Sequence, residues 1–425
     1  MTMNLESTLQ YEIKKLNLIT HAGTYDLRSI FTELNIFDHI LQPCMSGNLL
    51  LKDAQSINSN FVLDGSEFIE IDISKESDNF RIQKAFKVYK QTDRKQDSLT
   101  SESFILHFIS DEFVYSEQQT ISQYYKSTYT EVATKMLSDK LKVDVKNISL
   151  LEKSKGIREI IIPQMKPLEA IMWCARRALN SNNLPNFLFF ENINGYNFVS
   201  LSTLKSQASS YTIYFEIKNI QDSLERELFG ARDFEIISQY DYLDNIRSGV
   251  YSGTFIGFDP VTKSIVEQKI HYTDIFNDKT LNKNRNVTVD RNRDKKLNVD
   301  METSKVVSFP TPLNRKTNSY IKNNDPYSIN TGESPQYFIM QRKAILKNLF
   351  SQRLKIALPG NFLLSSGKVV DVNKQKNSTD QDDSRDQSIY GKYLIVATRH
   401  IIQQSKHETL IEVATDSTNE NIPGG

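Results

Sequence analysis

The sequence predicts an α+β fold that is mainly β, with strand-rich segments on either side of a small α/β unit. Residues 68–73, FIEIDI, alternate isoleucine with Phe, Glu and Asp, which is the period of two that is typical of a half-buried strand. Apolar residues recur at helical spacing after residue 120, and strand-like stretches return towards the C-terminus. These observations predict strands, then helices with strands, then strands again.

Length and composition limit the function classes. The chain has 425 residues, more than one hydrophobic core usually serves, so we expect two to four domains. Its 23 Phe and 19 Tyr can fill real cores, which argues against wholesale disorder. Lys plus Arg and Asp plus Glu each number 52, and this zero net charge disfavours a protein that grips nucleic acid through phosphates.

Cysteine use and the N-terminal stretch predict a protein made in the cytoplasm. Cys44 and Cys174 have no CxxC partners, so a disulfide framework is not expected. Residues 1–15 lack the apolar core of a signal peptide, and no run approaches 18 apolar residues. We therefore expect an unprocessed chain without membrane insertion.

Residues 1–115 are predicted to be mainly strand. FRIQKAFKVYKQT at 80–92 and SFILHFISDEFVY at 103–115 continue the style of 68–73, and the polar stretch 91–102 is expected to separate them. A β-barrel or a β-sandwich is the expected arrangement, because it leaves few open strand edges.

Residues 120–205 are predicted to form the α/β unit. Helical spacing runs from Ile121 to Leu141, and REIIIPQ at 158–164 is typical of a buried strand. MKPLEAIMWCARRAL at 165–179 predicts a helix with a proline in its first turn. A hairpin with Asn194–Gly195 at its turn is expected to follow.

The last part of the chain is predicted to mix strands with polar excursions. Two strands are expected around the Asp259–Pro260 turn, and a helix is expected within 337–354 before the final strands. Residues 277–335 are polar, with a basic block at 283–296, and are expected to be a long excursion or loose subdomain. A polar hairpin tip or linker is expected at 373–388.

Five carboxylates near the first strands are the main candidates for chemistry. Paired carboxylates could serve general acid–base catalysis or glycoside cleavage. Alternation instead places two of them on the polar face opposite the isoleucines, which favours a solvated strand face. The five are Asp53, Asp64, Glu67, Glu70 and Asp72.

Other catalytic signatures are absent from the sequence. KHETL at 406–410 lacks the second histidine of HExxH, and no other histidine pair has metal-ligand spacing. Cys174 lies inside the predicted helix and is expected to be a small buried residue. GxSxG, GxxxxGK[ST] and GxGxxG do not occur, so we expect no catalytic residue, metal or cofactor, and no enzyme.

Four segments in order resemble the baseplate hub proteins of contractile-tailed bacteriophages, whose fold also forms the base of VgrG-type spikes. The first, 31–73, is similar to the family pattern of a short helix, SG, an apolar strand, Asp-Ala and Gly-x-Glu before another strand. The second, 162–204, ends in GYNFVSLSTL. The others are 249–276 and the closing strands within 357–417.

The resemblance implies two tube-like antiparallel β-barrel domains joined by a small α/β domain, with a long insertion in the second barrel. The implied domains are 1–118 (first barrel), 119–205 (α/β domain), 206–245 with 336–415 (split second barrel), 246–335 (insertion) and 416–425 (flexible tail).

The same resemblance implies a structural role in the virion. A homotrimer would form a pseudo-sixfold ring that adapts a threefold central spike to a sixfold tail tube and leaves a channel for DNA ejection. The implied partners are the chain itself, the spike, tail tube or tube-initiator proteins and baseplate wedge proteins, with DNA only passing through.

An acidic channel wall would repel the phosphate backbone of DNA and prevent sticking. Residues 52–78 carry seven acidic residues against two basic ones, and Glu70 and Asp72 are the first candidates to face the channel or a neighbouring subunit. Two alternatives stay open at this point: a peptidoglycan-cleaving tail enzyme and a monomeric glycan-binding module.

Overall fold

The computed structural model describes most of the chain. The described residues are 11–54, 63–75, 80–98, 100–215, 230–239, 241–259, 263–271, 280–285, 306–310, 338–374, 386, 388–404 and 406–419. Most of the polar excursion 277–335, its basic block 283–296 beyond residue 285, and most of the tip 373–388 lie outside them.

Strands dominate the described residues. The first part of the chain contains β1 Glu12–Thr20, β2 Gly23–Asp26, β3 Phe31–His39, β4 Ser46–Asp53, β5 Phe68–Lys75, β6 Phe80–Ser98 and β7 Ser101–Ser110. The middle contains β8 Ile121–Ser127, β9 Ile148–Leu151, β10 Arg158–Met165, β11 Phe187–Asn192 and β12 Gly195–Ser200. The last part contains β13 Tyr211–Phe215, β14 Asp233–Ser238, β15 Ser252–Asp259, β16 Ser264–His271, β17 Asn284–Arg285, β18 Val306–Pro310, β19 Gln352–Pro359, β20 Val369–Lys374, β21 Gly391–Gln403, β22 Lys406–Thr415 and β23 Ser417–Thr418.

The described helices are short and lie between the strands. They are α1 Asp111–Glu117, α2 Tyr129–Lys135, α3 Pro167–Arg177, α4 Leu201–Lys205, α5 Tyr242–Ser248 and α6 Ile339–Leu349. A π-helical turn, Met136–Lys140, extends α2. The predicted α+β fold that is mainly β is therefore confirmed.

One 13-stranded sheet runs through both strand-rich parts of the chain. Its order is β14-β19-β22-β21-β3-β4-β7-β6-β5-β1-β2, with β20 and β13 branching from β21. The antiparallel pairing of β21 with β3, in which His400 lies opposite Ile36, joins the two parts edge to edge. The two strand-rich parts therefore share backbone hydrogen bonds as well as side-chain packing.

The first part closes around its own apolar core. Ile69, Ile71 and Ile73 of β5 are fully buried, as their alternation predicts, and meet apolar residues from β1, β3, β4, β6 and β7. Since side chains from six strands converge on one core, the sheet must curve strongly here. Phe362 and Ile402 from the last part of the chain also enter this core.

A second core lies between β19, β20, β21 and β22. It contains Leu354, Ile356, Val372, Ile395 and Val413, and β13 adds Ile213 through parallel pairing with β20. Strand-rich segments at the two ends of the chain therefore each have a core, with the α/β unit between them in sequence.

The α/β unit packs α2 and α3 against the β11–β12 hairpin. Thr128 begins α2 with a capping box to Glu131, and Pro167 opens α3. The hairpin is confirmed, but Asn192 lies opposite Gly195, so the two turn residues are Ile193 and Asn194 and not Asn194 and Gly195. The φ of Gly195, +118°, suits glycine. Cys174 is buried in this core, as expected.

Four other predictions for the first half of the chain are wrong. The short helix expected at the start of 31–73 is the strand β3, because both edges of this segment pair with other strands, β4 and β21. Ile121–Ser127 is a strand and not the start of a helix, because Ile121 and Tyr125 are an even number of residues apart and share a strand face as well. Asp111–Glu117 is a helix, so the preceding strand ends at Ser110. The polar stretch 91–102 is no separate connection, since β6 continues to Ser98 and pairs with β7.

The C-terminal end is more ordered than expected up to residue 419. Asp416 and Ser417 are buried, and β23 pairs with β17, so these residues of the expected tail belong to the fold. The expected boundary at 245/246 also falls inside α5. The division of the chain into domains otherwise stays a prediction.

Because the first core depends on alternation, we expect Ile71→Ala to lower the free energy of unfolding by about 2–5 kcal/mol. Ile71 is fully buried, whereas Ile161 is 68 % exposed and is the matched control, for which Ile161→Ala should cost less than about 1 kcal/mol. Urea unfolding of both variants measures the difference. Equal costs would contradict the assigned strand faces.

Candidate functional site

The acidic strand β5 is the first candidate site. Glu70 Oε1 accepts from Lys15 Nζ at 2.9 Å, and Glu70 Oε2 accepts from Asn17 Nδ2 at 3.1 Å. The Asp72 carboxylate accepts two hydrogen bonds from Arg81, one from Nε to Oδ1 at 2.8 Å and one from Nη2 to Oδ2 at 2.6 Å. Both carboxylates therefore already have basic partners on the neighbouring strands β1 and β6.

The other three acids have structural contacts. Glu67 is buried and accepts from the backbone N–H groups of Asp64 and Gly65, at 3.0 and 2.9 Å, which closes the turn before β5. Asp64 Oδ1 accepts from Ser66 N at 2.9 Å. Asp53 is buried at the end of β4. The structure does not bring the five acids together into a catalytic pair.

The expectation of a solvated strand face is therefore only partly right. Asp72 is 1 % exposed because the long side chain of Arg81 lies over it, whereas Glu70 is half-buried. The hydrogen bond from Arg81 lowers the pKa of Asp72, and the one from Lys15 lowers the pKa of Glu70. A general acid needs a raised pKa, so these two carboxylates have the opposite tuning.

A buried polar junction between segments is the second candidate site, and sequence reasoning missed it. Glu191 ends β11 in the α/β unit, yet its carboxylate lies against the first strand-rich part. Glu191 Oε2 accepts from Met45 N at 2.9 Å and from Ser110 Oγ at 2.6 Å, and Oε1 accepts from Lys84 Nζ. One carboxylate therefore ties together β4, β6, β7 and β11.

Two carboxylates hold the Lys84 ammonium in position. Lys84 is the polar member of the otherwise apolar inward face of β6 and sits between Glu191 and Glu112. Burial lowers the pKa of Lys84, but attraction to the two carboxylates outweighs burial, so the pKa is raised overall. The half-buried ammonium of Lys84 therefore stays charged between its two carboxylate partners.

The loop 360–367 connects to the same region. Ser366 N donates to Asp38 Oδ1 at 3.1 Å, and Asn192 Nδ2 donates to Ser366 O at 2.9 Å. Burial, together with the nearby Glu191 charge, raises the pKa of Asp38 to about 7. The loop therefore links β3 of the first part to the β11–β12 hairpin.

A third buried contact joins Lys205 to Asp416, near the C-terminal end of the described chain. Lys205 Nζ and Asp416 Oδ2 lie 3.0 Å apart with both side chains 2 % exposed. Asp416 Oδ1 also accepts from Leu281 N, and Asn282 Nδ2 donates to Lys392 O and Thr415 Oγ1. The α/β unit, residues 281–282 and the last strands meet at this contact.

Two buried histidines lie where the first and last parts of the chain meet. His400 Nδ1 and His407 Nε2 are 3.3 Å apart, and the Phe362 ring stacks on His407 with centroids 4.2 Å apart. Nearby, Lys75 donates to Gly360 O at 2.6 Å. Burial lowers the pKa of His400 to about 3 and that of His407 well below its usual range, so both rings are neutral at pH 7.

The remaining predicted features give no site in the described residues. No group of three or more His, Cys, Asp or Glu side chains there could hold a metal ion. Burial raises the pKa of the Cys174 thiol to about 12, which is unsuitable for a nucleophile. Among the described helices, none is long and apolar enough to cross a membrane.

Comparison with solved structures gives matches over nearly the whole chain. A tail protein from Neisseria meningitidis MC58 is 12 % identical, with a TM-score of 0.52, over 96 % of this chain and 97 % of that one. The 43 kDa tail protein of prophage MuSo2 from Shewanella oneidensis is 10 % identical, with a TM-score of 0.53, over 96 % and 100 %. The chain has the fold of these two tail proteins.

The resemblance predicted from the sequence is thus confirmed at the level of the fold. No protein-family model matches the sequence, and no curated protein matches it. At identities of 10–12 %, the two matches show the fold and nothing finer.

Replacing the Glu191 carboxylate by an amide should destabilise the fold. Glu191→Gln removes one of the two charges that balance half-buried Lys84 and replaces a buried carboxylate that accepts three hydrogen bonds, so we expect the free energy of unfolding to fall by about 2 kcal/mol or more. Glu70→Gln removes an ion pair at the surface and should cost less than about 1 kcal/mol. Urea unfolding of both variants measures the two losses of unfolding free energy. Equal losses would contradict a stabilising role for the Glu191 junction.

The histidine pair predicts acid sensitivity between about pH 7 and pH 5. A histidine in the unfolded chain has a pKa of about 6.5, whereas burial lowers the pKa of folded His400 to about 3. Above pH 6.5 the histidine is neutral in both states and costs no stability. Below pH 6.5 only the unfolded chain binds the proton, so the free energy of unfolding decreases as the pH falls towards 3. At pH 5 the expected loss from His400 alone is about 2 kcal/mol.

Urea unfolding across that range should therefore show a shallower pH dependence for His400→Gln than for the natural chain. His21 is exposed on the β1–β2 turn, so His21→Gln is the matched control and should leave the slope unchanged. An unaltered slope in His400→Gln would contradict the neutral buried pair.

Proposed function

We propose that this chain is the structural hub of a contractile phage-tail baseplate. It would form a homotrimeric, pseudo-sixfold ring that adapts a threefold spike to a sixfold tail tube. The observation that carries the proposal is the full-length fold match to two tail proteins, one of them from a prophage. The four sequence segments that resemble hub proteins support the same role.

Open strand edges support assembly into a ring. Within the described residues, β2 and β14 end the 13-stranded sheet, and each has one neighbour. Ile236 and Ile237 of β14 are both exposed, at a point where the register of β14 against β19 shifts by one residue. An edge strand with exposed apolar residues can pair with another chain, and a head-to-tail contact that closes gives a ring.

The ring proposal gives Glu70 and Asp72 a structural role. On the outer face of β5, basic residues on β1 and β6 already balance these acids. We propose that this face lines the channel or meets a neighbouring subunit, where paired charges set register. In a reconstruction of the assembled ring, both side chains on the outer wall would contradict this.

The proposed partners are the chain itself, the central spike, tail tube or tube-initiator proteins and the baseplate wedge proteins. DNA would pass through the channel during ejection without being held. The proposed location is the virion tail, after synthesis in the host cytoplasm. An enzymatic role is not proposed, because the low pKa values of Glu70 and Asp72 oppose general acid catalysis.

The oligomeric state tests the proposal. Light scattering of the purified chain should give three times the 49.0 kDa chain mass, and negative-stain images should show a ring with a central hole. A monomer at every concentration, with no ring in the presence of the spike protein, would contradict the hub role. Release of fragments from purified cell wall would instead favour an enzyme.

A further inference from the structure

Three arginines meet where the α/β unit contacts α6. Arg176 and Arg177 are the last two residues of α3, and Arg342 lies in the first turn of α6. Arg342 Nη1 lies within hydrogen-bond distance of three backbone carbonyls, at 2.7 Å from Phe187 O, 3.1 Å from Pro185 O and 3.4 Å from Ala175 O. These contacts place its guanidinium beside the end of α3.

Aromatic rings fix the second arginine. The Arg177 guanidinium lies over the Trp173 ring, 3.8 Å from its centroid, and 5.0 Å from the centroid of Phe338. Arg177 Nη1 also donates to Trp173 O at 3.3 Å. A planar guanidinium that is stacked and hydrogen-bonded loses little further freedom when it binds a carboxylate.

The third arginine, Arg176, is not held by contacts of this kind within the described residues. It is exposed, and helix C-terminal basic residues gain only a little from the helix dipole. Among the described residues, no carboxylate forms an ion pair with any of the three arginines. Burial, followed by the charge of Arg176, lowers the pKa of Arg342 to about 10 and also lowers that of Arg177.

We propose that this arginine cluster, Arg176, Arg177 and Arg342, is a docking site for an acidic segment of a partner protein. The charge is unbalanced in the described chain, and two of the three groups are held in place before binding. Arginine and tryptophan are the residues that most often dominate the binding energy of protein interfaces. A guanidinium binds an Asp or Glu carboxylate through two parallel hydrogen bonds.

Nucleic acid fits the site less well. Arg177 covers one face of the Trp173 ring, and Tyr129 approaches it edge-on with centroids 6.5 Å apart, so the ring is not free to stack on a base. The cluster spans only the end of one helix and one turn of another, whereas nucleic-acid binding usually neutralises many phosphates. The formal net charge of the chain is zero.

Fluorescence anisotropy with labelled hexaglutamate tests the proposal on the full-length chain. We expect saturable binding at low salt that weakens as salt rises, because the contact is electrostatic. Arg176→Glu should weaken it by about tenfold or more, since the exposed charge is reversed without disturbing buried contacts. Arg176→Lys should retain most of the affinity.

The matched control is Lys153→Glu, which makes the same charge change at an exposed position of the same α/β unit. It should leave binding within about twofold. The proposal is overturned by no binding at low salt, by equal losses in Arg176→Glu and Lys153→Glu, or by tighter binding of a single-stranded hexanucleotide. Because the readout is binding by the single chain, it does not depend on ring formation.

Discussion

The carboxylate of Glu191 is the contact on which the arrangement of the segments depends. It is buried between the α/β unit and the first strand-rich part and accepts from Met45 N, Ser110 Oγ and Lys84 Nζ. Taking a carboxylate and an ammonium out of water is costly unless each finds several partners. Here the partners come from separate segments, so the charges are satisfied only when those segments are in register.

Further buried polar contacts extend this constraint across the molecule. Asp38 and Asn192 both bind the backbone of Ser366, and Lys205 pairs with Asp416. Apolar contact alone would allow the segments to slide, whereas hydrogen bonds to fixed backbone groups do not. Such rigidity suits the proposed hub, because a ring that joins assemblies of different symmetry must hold its interfaces at fixed angles.

The sequence predicted features that depend on local pattern. Ile69, Ile71 and Ile73 are buried because alternation assigns them to one face, and α3 begins at Pro167 because proline suits the first helical turn. Ile121–Ser127 was predicted wrongly, since a spacing of four fits one face of either a helix or a strand. Local pattern therefore gave the fold class and most strands.

The junction could not be predicted in the same way. Lys84, Ser110 and Glu191 are brought together by pairing between distant segments, and no spacing in the sequence encodes that pairing. One signal was present: Glu191 is a lone charge in the apolar stretch NFLFFENINGYNF, and a charge inside a buried strand needs a partner. Asp72 shows the same limit, because Arg81 covers it only once β5 and β6 are paired.

Native-state hydrogen exchange tests the central claim, that the junction holds the segments as one body. The amides of Met45 and Ser366 donate to Glu191 and Asp38, and Leu49 reports the first core. We predict that all three amides open with the same free energy, close to that of global unfolding. Exchange of Ser366 or Met45 faster than that of Leu49 by about a hundredfold or more, after correction for intrinsic rates, would contradict the claim.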